Sequence, residues 1–134
     1  MYATEHKPDY SSYIEGYKER IEKQKVRLKQ LKKYAFSESK KIALLLADRY
    51  DVDLVILFGS YAKGTHRVDS DVDIAIRGIN NDDYWEAWSL VEQLTDLSID
   101  LRRLEDFSES SRKLILEYGV VLYEKTASDI DSGN

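Results

Sequence analysis

The chain has 134 residues, of which 43% are hydrophobic and 34% charged, with a net charge of −5 and no cysteine. This length fits one domain with its own core, and the lack of cysteine excludes disulfide and thiolate chemistry. The longest apolar run, residues 42–47, is far shorter than the roughly 20 residues of a membrane helix, and the first ten residues do not resemble a signal peptide. We therefore expect a soluble, cytoplasmic protein with no membrane partner.

The charge is unevenly distributed along the chain. Residues 1–41 hold 11 Lys/Arg and 6 Asp/Glu, whereas residues 42–134 hold 9 and 19. A basic leading segment ahead of an acidic body is compatible with binding of nucleic acid or an acidic partner, but a solvated helix face is the more common reason for such a pattern. The charge alone does not decide between these interpretations.

The first predicted element is a long helix over residues 9–34. Apolar or near-neutral residues recur there at alternating steps of three and four: Ile14, Tyr17, Ile21, Gln24, Leu28 and Leu31. Such a narrow seam is typical of a helix that packs on another helix, either in the same chain or in another protein. We expect the helix to break between Tyr34 and Ser37, because Ser37 can cap a new helix that runs to about Tyr50.

Short strands alternate with helices after that point. The apolar run 54–58 predicts a buried strand, and a polar loop from Tyr61 to Ser70 follows it. Further strands are predicted over residues 71–76, 98–104 and 120–123, and further helices over residues 82–94 and 108–118.

This order of elements predicts an α/β (α+β) fold, with a small mixed β-sheet of about four strands and helices packed on it. The long N-terminal helix precedes this unit. The expected domain organisation is a basic helical extension over residues 1–36, a catalytic α/β domain over residues 37–125 and a disordered tail over residues 126–134.

Two carboxylates stand on the second predicted strand. Asp71 and Asp73 are two residues apart and therefore project from one face, while Val72, Ile74 and Ile76 enter the core. Two ionised carboxylates this close repel each other unless a cation lies between them, and hard oxygen ligands select Mg²⁺ or Mn²⁺. An isolated Asp-x-Asp is more often part of a solvated acidic face, so its surroundings must decide.

Gly59 and Ser60, at the end of the first strand, favour a functional role. A glycine there lets the backbone approach a phosphate without a Cβ in the way, and the Ser60 hydroxyl and the following N–H groups can donate hydrogen bonds to phosphate oxygens. An ordinary turn at the end of a strand is the alternative for the pair alone. The informative feature is the spacing, because ten residues separate Ser60 from Asp71.

Gly-Ser, ten residues and Asp-x-Asp, present here as Gly59, Ser60, Asp71 and Asp73, resemble the signature of the polymerase-β-type nucleotidyltransferase superfamily. The flanking residues agree, with Leu-Phe before Gly-Ser, Ala-Lys-Gly after it and Ile-Ala-Ile after the second Asp. The resemblance extends over residues 38–124. At this length the chain is similar to the minimal nucleotidyltransferase (MNT) family.

Members of that family are antitoxins encoded beside a small helical HEPN protein, which is a toxic ribonuclease. The resemblance implies a Mg²⁺-dependent enzyme that transfers AMP from ATP to a tyrosine hydroxyl of the HEPN toxin, with which it forms a hetero-oligomer. RNA would be involved only indirectly, through the toxin.

The resemblance also implies which residues act. The catalytic and metal-binding carboxylates, holding two Mg²⁺ ions, would be Asp71, Asp73 and a third on a later strand, Asp100. The nucleotide-binding residues would be Gly59, Ser60 and Lys63. Tyr61 stands where many relatives carry Arg, and Lys63 is the expected substitute for that guanidinium.

Four other polar or aromatic residues could have a functional role, but a structural role is expected for each of them. His66 is expected to be an exposed loop histidine outside the chemistry. Trp85 and Trp88 have helical spacing and are expected in the core or an interface rather than in a base-stacking platform. Arg102 shares the face of Asp100 and is expected to form a surface salt bridge, with a phosphate contact as the alternative.

Two other functions remain open. The chain can be a non-catalytic antitoxin that masks the toxin through its seam helix, but the complete motif argues against that. It can also be a small-molecule transferase of the aminoglycoside-modifying kind, which its size disfavours because no second domain is available to hold the substrate.

Overall fold

The computed structural model describes residues 8–126. It begins with one continuous helix, α1 (Ser11–Arg49), so the predicted break between Tyr34 and Ser37 is wrong. The segment contains neither Gly nor Pro, and its residues cost the helix only a few tenths of a kcal/mol each. Burial of Ala35, Ile42 and Leu46 along the helix outweighs that small cost. The predicted domain division at residues 36 and 37 therefore falls inside a helix and stays a prediction, and residues 127–134 lie outside the described part of the chain.

The sheet matches the predicted strands closely. Its four strands are β1 (Leu54–Phe58), β2 (Val72–Arg77), β3 (Ile99–Arg103) and β4 (Val120–Glu124), in the order β3-β2-β1-β4. Strands β2 and β3 are parallel, whereas β1 is antiparallel to both β2 and β4. The prediction of a mixed four-stranded sheet preceded by a long N-terminal helix is confirmed.

Three further helices connect the strands: α2 (Gly59–Lys63), α3 (Asn81–Leu94) and α4 (Glu109–Tyr118). The Asn80 and Ser108 side chains cap α3 and α4 by accepting backbone hydrogen bonds. The predicted polar loop after β1 is wrong in its first part, where α2 forms a short helix that ends at Gly64 in a left-handed conformation, with φ of 78°. A 3₁₀ turn, Leu104–Asp106, links β3 to α4.

The two faces of the sheet carry different clusters of buried residues. On the first face, α1 and α3 pack on alternate strand residues that include Leu57, Ile74 and Leu101. On the second face, Ile115 of α4 packs with Ile56 and Ala75. Because Asp73 alternates with Val72 and Ile74, it lies on the second face, which we call the α4 face. The predicted burial of Val72, Ile74 and Ile76 is confirmed, since each is at most 1% exposed.

On each edge strand of the sheet, one backbone carbonyl group accepts hydrogen bonds from side chains. The Leu101 carbonyl of β3 accepts hydrogen bonds from the Tyr84 hydroxyl at 2.6 Å and the Trp88 indole at 2.9 Å. The Leu122 carbonyl of β4 accepts one from Lys40 at 2.7 Å. Trp88 therefore packs at the core as predicted, and these bonds reduce the tendency of the edges to pair with another strand. None of the helices within residues 8–126 is long and apolar enough to cross a membrane.

Candidate active site

The predicted motif residues meet at one end of the sheet. Strand β1 ends where the antiparallel β2 begins, with Phe58 opposite Asp73, so Gly59 and Ser60 follow directly beside the Asp-x-Asp. Strand β3 begins at the same end because it is parallel to β2, and Asp100 is opposite Asp73. The fold thus brings together segments that are up to 41 residues apart in the chain.

Gly59 is required by the close approach of Asp73. Its φ of 74° lies in the left-handed region that favours glycine, and a Cβ at this position would overlap the Asp73 carboxylate. The backbone at the start of α2 therefore lies against one carboxylate of the motif. The sequence predicted a glycine that frees the backbone for phosphate, and the geometry adds that the same glycine makes room for Asp73.

Among the three carboxylates, Asp73 has a clearly shifted pKa. Burial raises the pKa of Asp73 to about 6, and the nearby charges of Asp100 and Asp71 add to that rise. Arg102 acts in the opposite direction, with its Nε 3.2 Å from Asp100 Oδ2. The predicted salt bridge of Arg102 is confirmed, and this guanidinium is the cation that partly compensates the acidic cluster.

The three carboxylates are chemically suited to bind a hard divalent cation. Asp71, Asp73 and Asp100 supply only carboxylate oxygens. The pKa of Asp73 is raised first by burial and then by the charges of Asp100 and Asp71, and a bound cation would offset that repulsion. In their present orientation, no three His, Cys, Asp or Glu side chains within residues 8–126 are arranged to hold a metal ion. Asp71 is exposed and Asp100 is engaged by Arg102, so binding a cation requires these side chains to turn.

A cavity of about 530 Å³ opens beside Gly59. Its walls come from α2 and α4: Phe58, Gly59, Ala62 and Lys63 on one side, Leu114, Ile115, Tyr118 and Gly119 on the other. Lys63 is exposed at this cavity, on the same short helix as Ser60. The α4 wall was not predicted, because the spacing of apolar residues in a helix does not reveal which end of a sheet the helix covers.

Tyr61 and His66 are structural residues of the loop between the two motifs. Tyr61 is 1% exposed and its ring stacks on His66 at 4.5 Å, so it cannot replace an arginine at the surface. The prediction that His66 is exposed is wrong, since its side chain is buried and Nε2 lies 2.8 Å from the Leu28 carbonyl oxygen. That contact requires the proton on Nε2, and it ties the loop to α1.

Replacing His66 by alanine is expected to lower the free energy of unfolding by about 1–3 kcal/mol, because the change leaves a cavity under Tyr61 and removes a buried hydrogen bond. Denaturation in urea measures the effect, and Thr65→Ala, at the exposed neighbouring position, is the control. Equal midpoints for the two variants would show that His66 does not anchor the loop.

Trp85 differs from its neighbour Trp88. It is 62% exposed, so the core position predicted for it is wrong and only an interface role stays open.

Arg102 lies 5.6 Å from the centre of the Phe107 ring, and that ring meets Phe58 edge-on at 5.6 Å. These aromatic contacts hold Arg102 at the α4 face beside Asp100.

Comparison with known proteins agrees with this geometry. The family profile described as polymerase beta, nucleotidyltransferase matches residues 40–128, which contain every predicted site residue. The protein adenylyltransferase MntA of Shewanella oneidensis is 31% identical over 96 residues, a stretch that covers 69% of each chain.

Solved structures give the same result. A chain of a toxin–antitoxin complex with AMP-PNP is 30% identical, with a TM-score of 0.54 over 69% of this chain and 77% of that one. A complex of the tri-AMPylated Shewanella oneidensis HEPN toxin with its MNT antitoxin contains a chain that is 26% identical, with a TM-score of 0.53 over 73% and 78%. Both matches leave about a quarter or more of this chain uncovered.

Proposed function

This chain belongs to the polymerase beta nucleotidyltransferase family, and we propose that it is an antitoxin that transfers AMP from ATP to a tyrosine hydroxyl of a HEPN-type toxin. The observation that carries the proposal is the meeting of Gly59–Ser60 with Asp71, Asp73 and Asp100 at one end of the sheet. The similarity to MntA, a protein adenylyltransferase, supports AMP as the transferred group. The HEPN complex of another relative supports the class of partner.

The reaction exchanges a phosphoanhydride bond of ATP for a phosphodiester bond to the acceptor. The acceptor hydroxyl oxygen forms a bond to the α-phosphorus of ATP, the bond from that phosphorus to the bridging oxygen breaks, and pyrophosphate leaves. The hydroxyl proton passes to a nearby base, for which the Asp100 carboxylate is the candidate. The residues hold the two reactants in line and stabilise the charge that develops, and these two effects together account for almost all of the catalysis of such a transfer.

We propose that Ser60 and the backbone after Gly59 hold the β- and γ-phosphates. Ser60 is the second residue of α2, directly after the glycine that lies against Asp73, and Lys63 on the same helix adds a positive charge. The cavity between α2 and α4 starts at this point and gives the leaving group room. Lys63 is thus the cation proposed to take the place of the arginine expected at Tyr61.

Asp71, Asp73 and Asp100 are the residues that would hold Mg²⁺ at this site. The bound ions would neutralise charge on the triphosphate and lower the pKa of the acceptor hydroxyl. Asp73 lies against Gly59 and opposite Asp100, so it is the carboxylate that links the phosphate-binding backbone to the third acid.

The direct test uses a HEPN-type protein, which we expect the reading frame beside that of this chain to encode. The two proteins are incubated with ATP and Mg²⁺, and the intact masses of both are measured. We expect the HEPN protein to gain one or more AMP units, and peptide mapping to place them on tyrosine. A complex that forms without any mass change would overturn the transferase proposal in favour of an antitoxin that acts by masking.

Ser60→Ala is expected to reduce kcat/KM for ATP by about 10- to 150-fold, the effect of one hydrogen bond of roughly 1.5–3 kcal/mol to a charged acceptor. Ser37→Ala, on the exposed surface of α1, controls for loss of a serine elsewhere. An unchanged kcat/KM would mean that the backbone alone holds the phosphates.

A further inference from the structure

The N-terminal part of α1 extends beyond the rest of the molecule. From Ala35 onward the helix packs on the sheet of the α/β unit, residues 54–124, which we call the body. The contact of His66 with the Leu28 carbonyl lies near one end of that body. Val68 of the same loop borders the helix as far as Arg20, and residues 11–19 continue past it for about 13 Å at the rise of an α-helix. Among residues 11–27, only Gly16 and Ile21 are partly buried, and the others are exposed.

This projecting segment carries large apolar side chains on one side. Tyr10, Tyr13, Ile14 and Tyr17, which we call the aromatic stripe, are 58%, 75%, 51% and 59% exposed. Their steps of three, one and three residues place them on one helix face. Single exposed apolar residues are ordinary, but a contiguous group that includes three tyrosines is typical of a protein-binding surface.

The stripe continues the line along which α1 packs on its own domain. Ile14, Ile21, Leu28, Ala35 and Ile42 are seven residues apart, a spacing that returns to nearly the same side with a drift of about 20° each time. Burial falls steadily along that line, from 0% exposure at Ala35 and Ile42 to 51% at Ile14. The stripe therefore lies on the same side of the helix as the body, but past the point where the body ends.

The end of the body next to the stripe is the end that carries the candidate active site. The loop that His66 fixes to α1 leads through Val68 to Asp71, and three residues span at most about 10 Å. A protein bound to the stripe would therefore lie across the end of the sheet where Gly59 and Asp73 meet.

We propose that the aromatic stripe is the docking surface for the acceptor protein, through a helix of that protein with an apolar face and acidic flanks. The inference rests on the proposed function, and it names the surface that brings the acceptor hydroxyl to the site. The continuity of the stripe with a seam that already packs on a folded domain favours protein over nucleic acid.

The charges beside the stripe favour an acidic occupant over a second copy of this chain. The region after it is rich in cations: Lys18, Arg20, Lys23, Lys25, Arg27 and Lys29. Only Lys25 among these has an ion pair within residues 8–126, with Glu22. Two copies aligned along this region would place like charges together, which costs binding energy, whereas acidic flanks on a partner would offset them.

The test compares binding and turnover of matched variants. Ile14→Ala/Tyr17→Ala removes two members of the stripe, and Val26→Ala, 53% exposed and on the opposite side of the helix, is the control. With the neighbouring HEPN-type protein as probe, we expect the double variant to raise Kd and the KM for the acceptor about 10-fold or more. Its kcat at saturating acceptor, KM for ATP and helical circular dichroism should match those of wild type, as should every value for Val26→Ala.

Other results overturn the inference. Unchanged acceptor binding by the double variant would show that the stripe is not the docking surface. Dissociation of a wild-type oligomer by the same substitutions would assign the stripe to a second copy, and loss of salt-sensitive binding to a labelled single-stranded RNA would assign it to nucleic acid. Failure of the proposed function is distinguishable, because wild type would then bind the HEPN-type protein without transferring AMP.

Discussion

Asp71→Asn and Asp73→Asn are each expected to reduce AMP transfer by at least about 1000-fold, the scale of losing a residue on which the reaction depends. Each substitution keeps the size of the side chain and removes its charge. The two residues lie at the start of β2 beside Gly59, where the proposed triphosphate and cations meet. Transfer is measured in saturating Mg²⁺ and ATP with the HEPN-type protein as acceptor.

Asp69→Asn is the matched control, because Asp69 is an exposed carboxylate in the loop just before the motif. It should transfer AMP like wild type. In buffer with EDTA, Asp73→Asn should melt no lower than wild type, since burial and the charges of Asp100 and Asp71 make the ionised Asp73 costly. Transfer by Asp73→Asn at the wild-type rate would refute the proposed role of this carboxylate.

The sheet and the meeting of the motifs could be predicted from the sequence because local patterns determine them. The run 54–58 is apolar at every position and ends at Gly59, and β1 has those bounds. Alternation from Asp71 to Ile76 predicted which residues face the core, and Val72 and Ile74 are buried. Antiparallel pairing of these two strands then brings Gly59 beside Asp73 without any further information.

The features that were mispredicted depend on contacts distant in sequence. Ser37 has the chemistry of a helix cap, but packing of Ala35 and Ile42 on the sheet keeps α1 continuous through it. His66 looks like a loop histidine because it lies in a polar segment, and neither the stacking of Tyr61 nor the contact with α1 can be read from that segment. It is buried by Tyr61 and by α1, whose Leu28 carbonyl lies 38 residues earlier.

The wall that α4 gives to the cavity beside Gly59 was missed for a similar reason. Leu114 and Tyr118 belong to an amphipathic helix whose existence was predicted. Which end of the sheet that helix covers depends on the path from β3 to β4, which crosses the α4 face of the sheet. No residue pattern within the helix encodes that path.

Gly59→Ala is expected to lower AMP transfer by at least about 100-fold, because misplacing a catalytic group by about 1 Å can cost that much. The added Cβ would overlap the Asp73 carboxylate, which must then move away from the phosphate-binding backbone. A non-glycine residue at a φ of 74° also costs roughly 1–3 kcal/mol of stability. Single-turnover transfer and urea denaturation measure the two effects separately.

Gly64→Ala separates displacement of Asp73 from backbone strain. Gly64 has nearly the same φ, 78°, but a Cβ there would meet only Lys32 Nζ, at 3.9 Å. Both variants should therefore lose stability through backbone strain, with Gly59→Ala losing at least as much as Gly64→Ala, while only Gly59→Ala should lose most of its transfer activity. Equal losses of activity would assign the effect to strain in α2, and full activity of Gly59→Ala would show that transfer does not need Asp73 in its present position.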